Sequence, residues 1–224
     1  MKIFTMKNQL TLVVGLFALL TLTQCSSGKY YSDFKSRKKS VEKLAVIKPS
    51  IYVKSVKDQK ESEDNELVYK LEKLISKKTN SILSGKYILT DISNTSDIIP
   101  ENDLQSLFSK LDNSEKQLSS IKIPPFLQND FKNIKERYCL KIFFQGFYNG
   151  YLKPDENVKQ ALQSNVLYLN SRHLFRSDIR LVVFDILENE IVYYDKKVSN
   201  DIDPRLPMPI DQMTSNILRP LYYK

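Results

Sequence analysis

Near the C-terminus, two apolar, β-branched runs face each other across a short polar break: DIRLVVFDIL and IVYYDKKV flank Glu188-Asn189-Glu190. Such runs read as strands, and a central Asn tolerates the positive φ that tight hairpin turns demand. The chain is therefore committed to an antiparallel pair near its end. An exposed pair does not persist alone, so the rest of the chain must supply more strands and a cover.

It does so by alternating the two periodicities. VEKLAVIKPSIYV (41–53) predicts a first strand, with Pro49 marking a bend or a break. In NELVYKLEKLISKKTNSIL, Leu67, Leu71, Leu74 and Ile75 fall on one stripe at helical spacing; Asp64 or Asn65 caps the start and Gly85 stops the helix. KYILTDI reads as a second strand. PENDLQSLFSKL makes a short amphipathic helix, and after Pro124-Pro125 another helix turns Phe126, Phe131 and Ile134 inward. CLKIFFQGFYNGY is a strong strand, in which Gly146 permits a bulge or a close backbone approach. In residues 152–175, DENVKQALQ looks helical and NVLYLN could form a strand. A last helix places Ile210, Met213, Ile217 and Leu218 on an apolar side. Interleaved helices and strands with one antiparallel hairpin predict an α/β (α+β) fold: a single domain with a mixed sheet packed by helices.

The N-terminus has a different character. Lys2 and Lys7 precede an apolar run from Leu10 to about Leu22, shorter than the ~20 residues of a comfortable membrane span. A positive start followed by a 7–15-residue apolar stretch is the secretory-signal pattern. The run ends in Leu22-Thr23-Gln24-Cys25, which resembles a bacterial lipobox, with Gln24 where that family usually has Gly, Ala or Ser. The resemblance implies cleavage before Cys25 and acylation of its thiol, and Ser26 after the cysteine implies sorting to the outer membrane. Several acyl chains hold firmly where one holds weakly. The expected organisation is a signal peptide over 1–24, a lipid-anchored tether over 25–40 and a globular domain over 41–224. Arg37-Lys38-Lys39 in the tether could touch anionic head groups.

Chemistry-bearing residues are sparse. The formal net charge is +8, which could suit an anionic lipid, an anionic polymer or nucleic acid; outside the cytoplasm nucleic acid is not an expected partner. With Cys25 acylated, Cys139 has no disulfide partner, and in RYCLKIFF it reads as a small core residue. His173 is the only histidine, so neither a zinc site nor a histidine-based triad is expected, and no cofactor or metal is called for. Gly totals only 5, and no phosphate-binding glycine loop or nucleophile elbow occurs. Two carboxylate groups, Glu61/Glu63/Asp64 and Glu188/Glu190, could serve hydrolysis but sit in predicted turns. Aromatic residues crowd FFQGFYNGY and YYDKK. Phe143, Phe144 and Phe147 read as core, whereas Tyr148, Tyr151 and Tyr194 stand equally as core or as anchors for a protein partner.

KLAVIKP, LVYKLEKLISKKTNSILSGKYILTDI, RYCLKIFFQGFYN and the hairpin with Asp185 and Tyr193-Tyr194 together resemble the CsgG/LpoB-like envelope lipoproteins, whose fold is like the TolB N-terminal domain. The resemblance spans roughly residues 41–222 and departs from the family at Asn189, where the return turn usually carries Gly. It implies a non-enzymatic, outer-membrane-anchored periplasmic module that binds an envelope protein and regulates cell-wall synthesis or secretion. Assembly of several copies fits the same resemblance. One alternative is a subunit of a CsgG-like secretion channel, with membrane-spanning strands drawn from 162–175. Another is an envelope-polymer hydrolase using the turn carboxylates and His173.

Overall fold

The expected hairpin is the spine of the C-terminal half. The computed structural model describes residues 29–30, 32–57, 60–92, 99–114, 118, 121–151 and 174–222. In it, β6 (Phe175–Asp185) and β7 (Glu190–Ser199) pair antiparallel through their turn. Asn189 takes φ 55°, and it is the one non-glycine residue with positive φ among those described. The remaining strands are β1 (Lys29–Tyr30), β2 (Lys43–Lys57), β3 (Lys60–Glu63), β4 (Ile88–Ile92) and β5 (Tyr138–Asn149). They form one mixed seven-stranded sheet in the order β1-β7-β6-β5-β2-β3, with β4 also on β2.

β2 is the hub. It runs parallel to β5 over nearly its whole length, its first half pairs in parallel with β4, and its last residues return antiparallel into β3. Pro49 does not break this strand. The register shifts between Ile47 and Ser50, so a bulge absorbs the proline, which has no N–H to give to a ladder. At Gly146 the requirement is close approach rather than a bulge. A Cβ there would meet the Phe144 ring at 2.9 Å and Pro204 at 3.0 Å, while the β5–β6 register runs on unbroken.

Helices cover both faces of the sheet. Against one lie α1 (Ser32–Arg37), α2 (Asn65–Leu83) and α5 (Pro207–Tyr222). Asp64 caps α2 by accepting the Leu67 amide at 3.0 Å, and Leu71, Ile75 and Leu83 face inward, as the stripe requires. The other face carries α3 (Glu101–Asn113) and α4 (Pro125–Phe131), which bury Leu104, Leu107, Phe108, Leu111, Leu127 and Phe131. Strand residues alternate between the two cores: Leu140, Ile142 and Phe144 go one way, Cys139 and Phe143 the other. The result is a single α+β domain of three layers.

One boundary is corrected. The expected tether over 25–40 already belongs to the fold from Lys29. β1 pairs with β7, setting Lys29 opposite Tyr194, and Phe34 on α1 is buried against Tyr138 with ring centroids 5.3 Å apart. A two-residue edge strand and one turn of helix leave too little periodic pattern to be read from sequence. The signal segment with Cys25, and residues 152–173 with His173 and most of the candidate channel strand, lie outside the described residues. Among the described residues, no helix is long and apolar enough to cross a membrane.

Candidate functional site

A groove of about 670 Å³ lies between α3, the later parts of β2 and β5, and the first half of β6. Its floor holds an ionic network built around Arg180. This residue sits between buried Ile179 and Leu181 on β6 and is only 8% exposed. Nε and Nη2 donate to the two carboxylate oxygens of Asp178 at 3.0 and 2.8 Å. Nη1 reaches the Tyr194 hydroxyl at 2.9 Å and Asp112 at 3.2 Å. The guanidinium also stacks 4.3 Å from the Phe108 ring centroid. Tyr194 in turn donates its hydroxyl to Asp112 at 2.6 Å, and Lys196 approaches the same oxygen at 3.0 Å.

These contacts fix the protonation states. Burial alone would raise the Asp112 carboxyl; hydrogen bonds from Tyr194 and Lys196, with the charge of Arg180, hold it below the usual range instead. Burial and the Asp112 acceptor push the Tyr194 phenol up, so it stays protonated. Burial works against the Arg180 charge, but Asp178 outweighs it and the guanidinium is held more firmly protonated than usual. Arg180 directs its hydrogen bonds to Asp178, Tyr194 and Asp112, so the network braces α3 onto the sheet and shapes the groove floor. Lys29 extends the brace: its ammonium donates to the carbonyls of Leu111 (2.8 Å), Asp112 (2.8 Å) and Ser114 (2.6 Å), closing the C-terminus of α3 where the helix dipole favours a cation.

A second ion pair lies under α4. Lys141 and Asp130 meet at 2.5 Å, and both are almost fully buried. Cys139 is buried in the same core, and burial raises its thiol far above the ordinary value, so it sits there as a packed, neutral group. A further cavity of about 340 Å³ between α2 and the β2–β4 pair contains Asn80. The Asn80 amide donates to Asp91 at 2.9 Å.

The structure separates the residues singled out in the sequence. Tyr194 is corrected from an interface candidate to a network member, 1% exposed. Tyr148 is likewise buried, and its hydroxyl donates to Asp64 at 2.6 Å, tying β5 to the start of α2. Tyr151 alone of the three is exposed, at 39%, with the Lys57 ammonium 5.3 Å from its ring centroid. The two carboxylate groups do not come together. Glu61 and Glu63 pair with the end of β2, whereas Glu188 and Glu190 lie at the β6–β7 turn beside the start of β5. Opposite ends of a strand this long stand roughly 30 Å apart, beyond the ~5–9.5 Å of a glycosidase pair. Their charges go to local partners: Glu61 to Lys54, Glu188 to Arg137 and Glu190 to Lys122. Among the described residues, no three His, Cys, Asp or Glu side chains gather as a metal site.

Arg180 and Lys141 were missed as site residues, although each left a trace. A charge inside a strand that is apolar on both sides demands a buried partner. Asp178 lies two residues before Arg180 on the same strand; what the sequence does not show is that Asp112 joins this pair and that Lys141 meets Asp130, which only the fold brings about.

No protein-family model matches the chain, and no curated protein matches it. Solved structures resemble it distantly. A PelC dodecamer subunit from Paraburkholderia phytofirmans is 10% identical, with a TM-score of 0.38 over 82% of this chain and 89% of that one. A neuraminyllactose-binding hemagglutinin homolog from Helicobacter pylori is 12% identical, with a TM-score of 0.34 over 83% and 79%. The LpoB C-terminal domain from Salmonella enterica is 11% identical, with a TM-score of 0.28 over 76% and 95%. At such distances only a general likeness of architecture is at issue, and no property of those proteins is carried over.

Proposed function

We propose that this protein is a lipid-anchored domain of the bacterial cell envelope, held through Cys25 on the periplasmic side of the outer membrane, where it binds a protein partner and performs no catalysis of its own. The observation that carries this reading is the apolar segment ending in Leu22-Thr23-Gln24-Cys25, placed directly before a folded α+β domain. The groove beside α3 supports a binding role: its buried charges are spent on one another, and an already saturated network is a rigid platform rather than a reactive centre. Tyr151 is the remaining aromatic anchor of the three expected from the sequence.

The test is metabolic palmitate labelling of the wild type beside Cys25→Ala, with fractionation of the envelope. The wild type is expected to carry label and sediment with outer membranes, whereas Cys25→Ala carries none. An unlabelled wild type recovered in the soluble fraction overturns the anchor. A photo-crosslinking residue in place of Tyr151 is expected to capture one specific envelope protein, and capture of none overturns the assignment of Tyr151 to the interface.

A further inference from the structure

We infer that the cavity between α2 and the β2–β4 pair is a binding site for a small primary amine with a compact aliphatic body. The site is separate from the groove beside α3 and does not depend on the lipid anchor. Its opening follows from the sheet. The β2–β4 ladder ends at Ile47 opposite Ile92, and the proline bulge between Ile47 and Ser50 comes directly after. Where the ladder stops, a cavity of about 340 Å³ lies between the strands and α2. Its inner wall is aliphatic: Val46, Leu140 and Ile142 from the sheet and Ile75 from the helix, all buried. Such a volume suits a small organic molecule and is about ten times the ~30 Å³ share of one water. Apolar walls of this kind gain by meeting hydrocarbon rather than water.

One polar group on the wall asks for a partner. Asn80 Nδ2 donates outward to Asp91 at 2.9 Å, whereas Asn80 Oδ1 is sealed from bulk solvent and accepts no hydrogen bond. Among the described residues it is the one buried side-chain oxygen or nitrogen in that condition. An unmet buried acceptor is costly, and a donor entering the cavity satisfies it. The surrounding charge selects the kind of donor. Lys48 is joined to Glu72 at 3.0 Å at the rim, and Asp91 has no ion pair among the described residues. The rim therefore carries one carboxylate in excess, one hydrogen bond away from the waiting oxygen. A protonated amine brings N–H donors to Asn80 Oδ1 and a positive charge to Asp91, while its hydrocarbon body covers Ile75, Leu140 and Ile142. An ionised carboxylate has no donor to offer the oxygen and is repelled by Asp91.

The experiment uses the full chain in phosphatidylcholine nanodiscs at pH 7, with isoleucine, leucine and valine methyls and asparagine amides isotope-labelled for NMR. Three probes of one shape are titrated: cyclohexylmethylamine, cyclohexylmethanol and cyclohexanecarboxylate. The amine is expected to shift the methyl signals of Ile75, Leu140 and Ile142 and the side-chain amide of Asn80, with a Kd at least about tenfold below that of the alcohol. The carboxylate is expected to leave those signals in place. Asn80→Leu removes the acceptor and is expected to erase most of the preference for the amine. Asp91→Asn, at an exposed position on β4, keeps the fold and is expected to reduce that preference at least about threefold. Equal affinities for the three probes overturn the assignment to an amine. A preference unchanged in Asp91→Asn and in folded Asn80→Leu overturns its placement at these residues. Methyl signals unmoved by up to about 20 mM amine overturn the site and leave the Asn80 oxygen to ordered water.

Discussion

Asp195 carries a carboxylate whose environment opposes its charge. It is 6% exposed on β7, where one carboxylate oxygen accepts the Lys196 amide at 2.8 Å and the other lies 3.4 Å from the Tyr193 hydroxyl. Burial pushes its carboxyl up to about 6, against the opposing pull of Lys197, the Lys196 amide and Tyr193. A raised acid binds its proton more tightly in the folded chain than in the unfolded one. Its stabilising contribution is thus complete below about pH 4 and lost as pH rises through about 6. Asp195→Asn removes the charge that must be buried at neutral pH. Urea denaturation is expected to show a gain of about 3 kcal/mol at pH 7, the cost of ionising a carboxyl raised from 3.8 to about 6 at about 1.36 kcal/mol per pH unit, and a smaller gain near pH 4.5. A loss of stability at pH 7 would mean that the ionised group is held by partners stronger than those seen here.

At the scale of elements, α1 is the least conspicuous helix and the most informative. Its six residues bury Phe34 against Tyr138 at the start of β5. Truncating a buried aromatic costs ~3–5 kcal/mol; for a single helical turn at the domain margin the lower limit is expected. Phe34→Ala should lower the unfolding free energy by about 3 kcal/mol in denaturant titration, and a change below about 0.5 kcal/mol would return residues 32–37 to the status of a tether. Long elements were legible in the sequence because their patterns repeat: the stripe through Leu71 and Ile75, and the two strands around Asn189, each state their periodicity several times over. α1 and β1 state theirs barely once. The groove was not legible for a different reason. Arg180 and Asp178 are near neighbours in sequence, but Asp112 reaches Arg180 from α3, 68 positions away along the chain, and that meeting is a property of topology. The aromatic run in β5 and β7 divided as strand alternation requires, yet both candidate tyrosines, Tyr148 and Tyr194, were taken into hydrogen bonds with Asp64 and Asp112. Their hydroxyls had buried carboxylates to satisfy, a demand that residue type alone does not reveal.

For the molecule as a whole, the decisive connection is the parallel pairing of β2 with β5. Ala45 meets Cys139 and Val56 meets Asn149, so the middle of the sheet is closed by contacts far apart along the chain. Contacts at such separation must be made against loop-closure entropy before they are rewarded, which slows folding into the ms–s range typical of non-local topologies. Refolding by stopped-flow dilution is expected to fall in that range, and a dominant microsecond phase with full recovery of β5 protection would contradict it. The same register has a meaning for biogenesis. A chain synthesised N-terminus first delivers its hub strand, bearing apolar Val46, Ile47 and Val53, long before the strand that will cover it. Until the C-terminal half follows, that edge is an open seam, and whatever escorts the nascent protein has this seam to shield.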